Sequence, residues 1–325
     1  MRFQKAAALT ILLAAFLTLS FRRFQSTVLP AALETSNNTN RQTDDGYGSP
    51  VHLADLEDRS INESSGIAAS RRNTQLLWTH NDSGDGPFIY AFDYQGKHRG
   101  VWRIAGASAM DWEDIAVGPG PQTGKSYIYI GDIGDNSRKR DHIVIYRVVE
   151  PLIAPVDSSS TKDLPRTSDV ATVLRLKYPD GKHDAETLLV HPKTGDLYIV
   201  TKVRGAAAGV YKLKAPLPES METTLTHIGN IRFPSRMIGF ITGGDISPDG
   251  TRVILCDYLG GCELILSSTQ QGGFDAIWNQ PPVPVGLGSR KQGEAICYRA
   301  DGLALLMTSE GVPCPLIEIP QRKKE

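Results

Sequence analysis

Short apolar runs separated by turn residues organise this chain, and no stretch keeps a helical period long enough to suggest a bundle. Five segments begin acidic or polar and turn apolar. They are Glu63 in ESSGIAAS, Glu113 in EDIAVGPG, Glu186 in ETLLVHPKTG, Thr242 in TGGDISPDG and Glu294 in EAICYRADG. Each is followed by a turn rich in Pro, Gly, Asp or Asn, and then by a β-rich run: QLLWTHND, SYIYIGD, DLYIVTK, TRVILCDY and ALLMTSE. A third run follows, FIYAFDYQG in the first unit and CPLIEIP in the last. Three or four short strands recurring at roughly 50 residues are the mark of a β-propeller blade. The pattern predicts an all-β propeller of five blades, or six if the long polar insertion Ala154–Val170 in the second unit hides one. VHLADL, Val51–Leu56, is an orphan strand ahead of the first unit, and it can supply the missing outer strand of the last blade and close the ring. A sandwich of unrelated strands would not repeat the turn after each first strand so regularly.

The N-terminus is different in kind. Arg2 and Lys5 precede an apolar run from Ala6 to Phe21, followed by Arg22 and Arg23. That run has the length of a signal h-region and is short for a membrane span of roughly 20 residues. Residues 1–32 are read as a signal peptide or N-terminal anchor, 33–50 as a flexible linker and 51–325 as the propeller. The domain is therefore expected outside the cytoplasm, secreted or periplasmic, touching the membrane only through that segment, and as a monomer. Four cysteines, Cys256, Cys262, Cys297 and Cys314, have no paired C-x-x-C spacing, which argues against zinc, and their disulfide connectivity stays open. With 325 residues, 40% of them hydrophobic, and a net charge of -1, the chain has ample material for a core and no bulk charge for a polyanion. No basic patch with interleaved aromatics supports nucleic-acid binding.

In an antiparallel blade the start of the first strand and the end of the second share a rim. The repeats thus predict two rings at one mouth: Glu63, Glu113, Glu186, Thr242 and Glu294, then Asn81, Asp132, Lys202, Asp257 and Glu310. Asp111 and Asp184 sit two residues before a ring Glu. So many carboxylates cannot all ionise uncompensated. A hard, oxygen-seeking cation such as Ca²⁺ is the simplest compensation, with Glu63, Asn81, Asp111, Glu113, Asp132, Glu186 and Glu294 as candidate ligands. The loops His80–Gly86 and Gly131–Asn136 alternate Asp or Asn with Gly, as would suit an oxygen cage or, equally, ordinary side-chain-capped turns. His80, His183 and Lys202 are the candidates for catalytic work, the histidines as bases and the lysine as an orienting cation. No G-x-S-x-G, H-E-x-x-H or phosphate-binding glycine loop occurs.

The strings NESSGI, WTHNDSG, DWEDIA and GDIGDN resemble a group of exported bacterial propeller proteins of unknown role, over Val51–Pro320. More distantly the chain is similar to the SdiA-regulated propellers and to the calcium-dependent gluconolactonases and paraoxonases. The resemblance implies a propeller, and the ligand set of the lactonases does not map onto this sequence residue by residue. Two functions are expected: a metal-assisted hydrolase of esters, lactones or phosphoesters, or a non-enzymatic propeller that binds a protein or glycan. Either takes a small-molecule or extracellular ligand at the axial mouth.

Overall fold

The computed structural model describes residues 46–219, 221–232, 234, 240–267 and 271–322. The signal-peptide or anchor segment and most of the linker lie outside the described residues. Five sheets make five blades. From the inside outwards, blade 1 holds Ser64–Ala69, Leu76–Asn81, Phe88–Asp93 and His98–Ala105, and blade 2 holds Trp112–Pro119, Ser126–Asp132, Ile143–Val149 and Thr172–Lys177. Blade 3 runs Ala185–Val190, Leu197–Thr201, Ala208–Leu213 and Thr226–Ile231; blade 4 runs Gly243–Ile246, Arg252–Cys256, Gly261–Ile265 and Val283–Val285. In blade 5, Ile296–Tyr298, Ala304–Met307 and Pro315–Pro320 are completed by Val51–Asp55, antiparallel to Pro315–Pro320. The first strand of the propeller thus closes its last blade. Pairing begins ahead of Val51: Tyr47 bridges Gln321, and the Gly48 N–H donates to the Pro320 carbonyl at 2.7 Å.

The core follows from strand alternation. In Leu76–Asn81, Leu76 and Trp78 face blade 2 while Leu77 faces blade 5. Repeated round the ring, this fills each of the five gaps between neighbouring blades with one apolar cluster. The inner strands are buried on both faces and touch one another in sequence round the axis, the last against the first. Two buried acids staple these inner strands. Asp114 accepts the N–H groups of Ile115 and, across to blade 3, Leu188, at 2.8 and 2.9 Å. Asp245 does the same for Ile246 and, across to blade 5, Tyr298, at 2.7 and 2.9 Å.

The insertion Ala154–Val170 makes no sixth blade and does not belong to blade 2. It forms a 3-10 turn, Pro155–Ser159, and one strand, Arg166–Val170, which adds in parallel to the outer edge of blade 1. Two serines hold it there: Ser160 Oγ accepts the Val101 N–H at 2.9 Å and Ser168 Oγ the Ala105 N–H at 3.1 Å. All four cysteines are free and buried. Cys256 and Cys262 face opposite sides of blade 4, so they cannot bridge each other without turning a strand over.

Candidate functional site

At the rim where the inner strands begin, three of them carry the same irregularity. Ser64 pairs Asn81, Trp112 pairs Asp132 and Ala185 pairs Thr201, and in each case the ladder then skips one residue on the inner strand. Such a bulge leaves one residue unpaired and re-aims it. The bulged residues are Ser65, Glu113 and Glu186. Blade 5 matches them through its backbone bonds: Glu310 N–H donates to the Gln292 carbonyl as Asp82 N–H does to Glu63 and Lys202 N–H to Asp184. Glu294 is therefore the counterpart of Glu113 and Glu186, and blade 1 has a serine there. Glu63 lies two residues earlier and is exposed, level with Asp111 and Asp184. Ser65 and Thr242 each reach the neighbouring blade's backbone instead, Ser65 Oγ to the Glu113 carbonyl at 2.8 Å and Thr242 Oγ1 to that of Gly293 at 3.2 Å.

Carboxylates from four blades face one another across this mouth. Asp82, Asp111 and Glu113 each offer an oxygen, all within 4.8 Å of one another. Burial, with Asp82 and Asp184 nearby, pushes the Asp111 carboxyl up to about 6. Burial and the neighbouring Glu186, Asp82 and Asp111 hold Glu113 well above the usual carboxylate range. Glu186 is pushed up to about 8 by burial, against the pull of Lys202 and with Glu294 and Asp184 adding to it. Glu310 reaches about 8 through burial and Glu294, to which it is linked by Gln292: Nε2 of that amide donates to both carboxylates, at 2.8 Å to Glu310 and 3.2 Å to Glu294. Burial likewise raises Glu294.

Lys202 is the ammonium of this set. Its Nζ pairs with Glu186 Oε1 and lies 5.5 and 5.6 Å from the ring centres of Phe240 and Tyr258. Burial alone would lower its pKa, and Glu186 outweighs that and raises it. The other oxygen of Glu186, Oε2, is buried with no hydrogen-bond partner. On the opposite side of the cluster the backbone of Gly134 comes so close that a Cβ there would stand 2.1 Å from Glu113 Oε1 and 2.4 Å from Asp111 Oδ2. Glycine here lets both carboxyls keep these positions against the chain; a larger residue would make them shift. The donors are all hard oxygens, Asp82 and Asp111 half-buried and Glu113 buried, a set that could hold a divalent cation.

Other residues singled out from the sequence have different surroundings. Asn81 Oδ1 accepts from the N–H groups of Asn62 and Glu63, both at 3.1 Å, and its Nδ2 donates to the Ser60 carbonyl. Asp132 accepts from the N–H groups of Met110 and Asp111, both at 3.2 Å, and pairs with Arg140 at 2.8 Å. Both side chains therefore hold the loops that carry Glu63 and Asp111, and neither joins the three-acid cluster. Asp135 and Asp257 cap turns of their own loops. His80 is fully buried beside Trp112, behind the inner strand; Nδ1 donates to the Asn81 carbonyl at 2.8 Å, and burial lowers its pKa, so it is neutral. His183 turns away from the mouth, because successive residues of an extended chain point to opposite sides. It joins Asp180 at 3.0 Å and the Tyr211 hydroxyl at 3.1 Å in a ring cluster with Tyr178. Asp82 is the cluster member that sequence reasoning passed over in favour of Asn81. Its signal was its place one residue beyond the paired position, shared with Lys202 and Glu310.

No protein-family model and no curated protein matches the chain. Among solved structures it is similar to a gluconolactonase from Xanthomonas campestris (13% identity, TM-score 0.46, covering 83% of this chain and 89% of that one). It is also similar to a chain of the nidogen–laminin complex (14% identity, TM-score 0.43, 77% and 73% covered) and to the Dos1 propeller (11% identity, TM-score 0.35, 80% and 68% covered).

Proposed function

We propose that this protein is an exported five-bladed propeller that binds a divalent cation, Ca²⁺ first among them, at Asp82, Asp111 and Glu113, and uses the loaded mouth to hydrolyse an ester, lactone or phosphoester. The observation that carries the reading is the convergence of three carboxylates beside a fourth, Glu186, whose Oε2 is buried without a partner. A bound divalent ion supplies Lewis acidity toward a substrate oxygen. The chain's own contribution is proton handling and orientation. Glu186, with a pKa of about 8, exchanges a proton near neutral pH, as a general acid or base must. Lys202, held by Glu186 and the two rings, presents an ammonium to an anionic oxygen. The buried, neutral His80 and the outward His183 have no part in this reaction. The export half of the reading rests on the Ala6–Phe21 run and is tested by fractionating the cells that make the protein.

A panel of aryl esters, lactones and phosphoesters, with and without Ca²⁺, tests the reading. Glu186→Gln is expected to lower kcat by about 10²–10⁴-fold, the usual worth of a positioned acid–base group, while Ca²⁺ still binds. Asp82→Asn with Asp111→Asn is expected to abolish Ca²⁺ binding. Silence of the wild-type protein across the panel, with Ca²⁺ bound, would favour the binding propeller. The absence of an imidazole base at the mouth among the described residues is the observation on that side.

A further inference from the structure

The insertion Ala154–Val170 leaves the chain after the third strand of blade 2 and crosses to the outer edge of blade 1, and its tip meets the loop that carries Asp82. That tip is firmly built. Thr161 and Leu164 close a tight turn by exchanging N–H···O=C bonds, at 3.2 and 3.1 Å, with Lys162 and Asp163 between them. Just before the turn, the Ser160 carbonyl accepts from His98 Nε2 at 2.8 Å, and His98 Nδ1 lies 3.1 Å from Asp58 Oδ2. From this turn the Lys162 ammonium extends past the Phe88 ring, 6.0 Å from its centre, to pair with Asp85. Asp85 pins the loop Asp82–Gly86. One of its oxygens accepts from the Tyr90 hydroxyl at 2.8 Å, and the other accepts from Lys162. The carboxylate is only 6% exposed, so its charge is matched by a lysine that reaches in from another blade's unit. Gly84 and Gly86 flank it, with φ of +93° and +98°, a region that glycine enters without steric cost. A buried carboxylate that loses its cation is strongly disfavoured where it stands. With glycine on either side, the easier course is for the loop to turn Asp85 out to water. Asp82 would then keep its backbone bond to the Glu63 carbonyl, at 2.9 Å, and lose the fixed direction of its carboxylate.

We propose that the insertion is a brace for the mouth and that Lys162 is a positioning residue for Asp82, acting through Asp85. The effect on Ca²⁺ rests on the reading of Asp82 as a cation ligand given above, whereas the ordering of the loop does not depend on it. An element at the outer edge of blade 1 is thereby coupled to the axis of the propeller.

The test uses the full chain, first metal-free and then titrated with Ca²⁺. In the metal-free protein the backbone order parameters of Gly84, Asp85 and Gly86, from ¹⁵N relaxation, are expected near the rigid value of about 0.85. Lys162→Met should bring them below about 0.6, and Lys162→Arg should restore them. In calorimetric titration Lys162→Met is expected to weaken Ca²⁺ binding by about five- to tenfold, and Lys162→Arg by less than about twofold. Asp85→Asn removes the buried charge, so adding Lys162→Met to it should weaken binding no further. A loop already mobile in the wild type, or equally ordered in Lys162→Met, overturns the brace. A loosened loop beside an unchanged Ca²⁺ affinity overturns the positioning role. A wild-type protein that binds no Ca²⁺ overturns the cation site and that role together, and a loosened loop in Lys162→Met then leaves the insertion as a support of the fold alone.

Discussion

At pH 8, adding Ca²⁺ to the metal-free protein at about a hundredfold its Kd raises the melting temperature by about 6 °C, and the same addition at pH 5 raises it much less. Ligand at that excess stabilises by about 2.7 kcal/mol, and each kcal/mol moves Tm by about 2–4 °C in a chain of this size. The pH dependence has a definite sign. Glu113, Glu186, Glu294 and Glu310 all have folded pKa values above the 4.5 of an ordinary glutamate, with Glu186 and Glu310 near 8. Between those limits these four glutamates bind more protons in the folded protein than in the unfolded chain and outnumber His80 and His191, whose lowered pKa values act in the opposite sense, so stability falls as pH rises toward about 8. The metal-free protein should therefore melt lower at pH 8 than at pH 5. A divalent cation replaces the protons that the acids otherwise keep, so its effect grows with pH. Glu113→Gln with Glu186→Gln removes much of the repulsion along with the ligand Glu113, and it should raise the metal-free Tm at pH 8 while erasing the Ca²⁺ response. Differential scanning calorimetry at the two pH values decides it. A metal-free protein at least as stable at pH 8 as at pH 5 would contradict the account, as would an undiminished Ca²⁺ response in the double variant.

Why the sequence brought Glu63 forward and passed over Asp82 is a matter of what was aligned. Matching the first acid of each segment equates Glu63 with Glu113, but acids tolerate a shift of two along a strand because both positions face the same side. The buried aliphatic does not. Ile67, Ile115, Leu188 and Ile296 each fill the gap to the preceding blade, and counting back two from them gives Ser65, Glu113, Glu186 and Glu294. That alignment was available in the residues, and core packing, not charge, sets it. The bulge that turns Glu113 and Glu186 toward the axis was not available, since nothing in EDIA or ETLL departs from an ordinary strand. The five blades and the closing strand were legible because each rests on whole segments. The insertion's destination was not: parallel addition to blade 1 depends on Ser160 and Ser168 reaching backbone groups more than fifty residues away.

A chain that begins at Leu56 is expected to lose cooperative folding, although it lacks nothing of the mouth. The closing strand Val51–Asp55 has mostly exposed side chains, so its own apolar contribution is small. What it supplies is a backbone ladder to the outer edge of Pro315–Pro320, which otherwise stands open, and a tether for Tyr47. Tyr47 is 2% exposed and sits in the cluster between blades 4 and 5, where its hydroxyl donates to Glu263 at 2.6 Å. Glu263 also accepts from the Tyr298 hydroxyl at 2.8 Å and lies 3.5 Å from Arg252, so one residue at the start of the fold is tied into the centre of two blades at its end. Truncating a large buried aromatic costs about 3–5 kcal/mol. Tyr47→Ala should therefore lower Tm by about 10 °C. Tyr47→Phe should cost only about 1 kcal/mol, because Tyr298 and Arg252 still satisfy Glu263. Val51→Thr and Leu53→Thr, on the exposed face, should leave Tm within about 1 °C. If the chain starting at Leu56 melts cooperatively within about 2 °C of the full chain, the ring does not depend on its closing strand, and the five blades hold through their inner strands and inter-blade clusters alone.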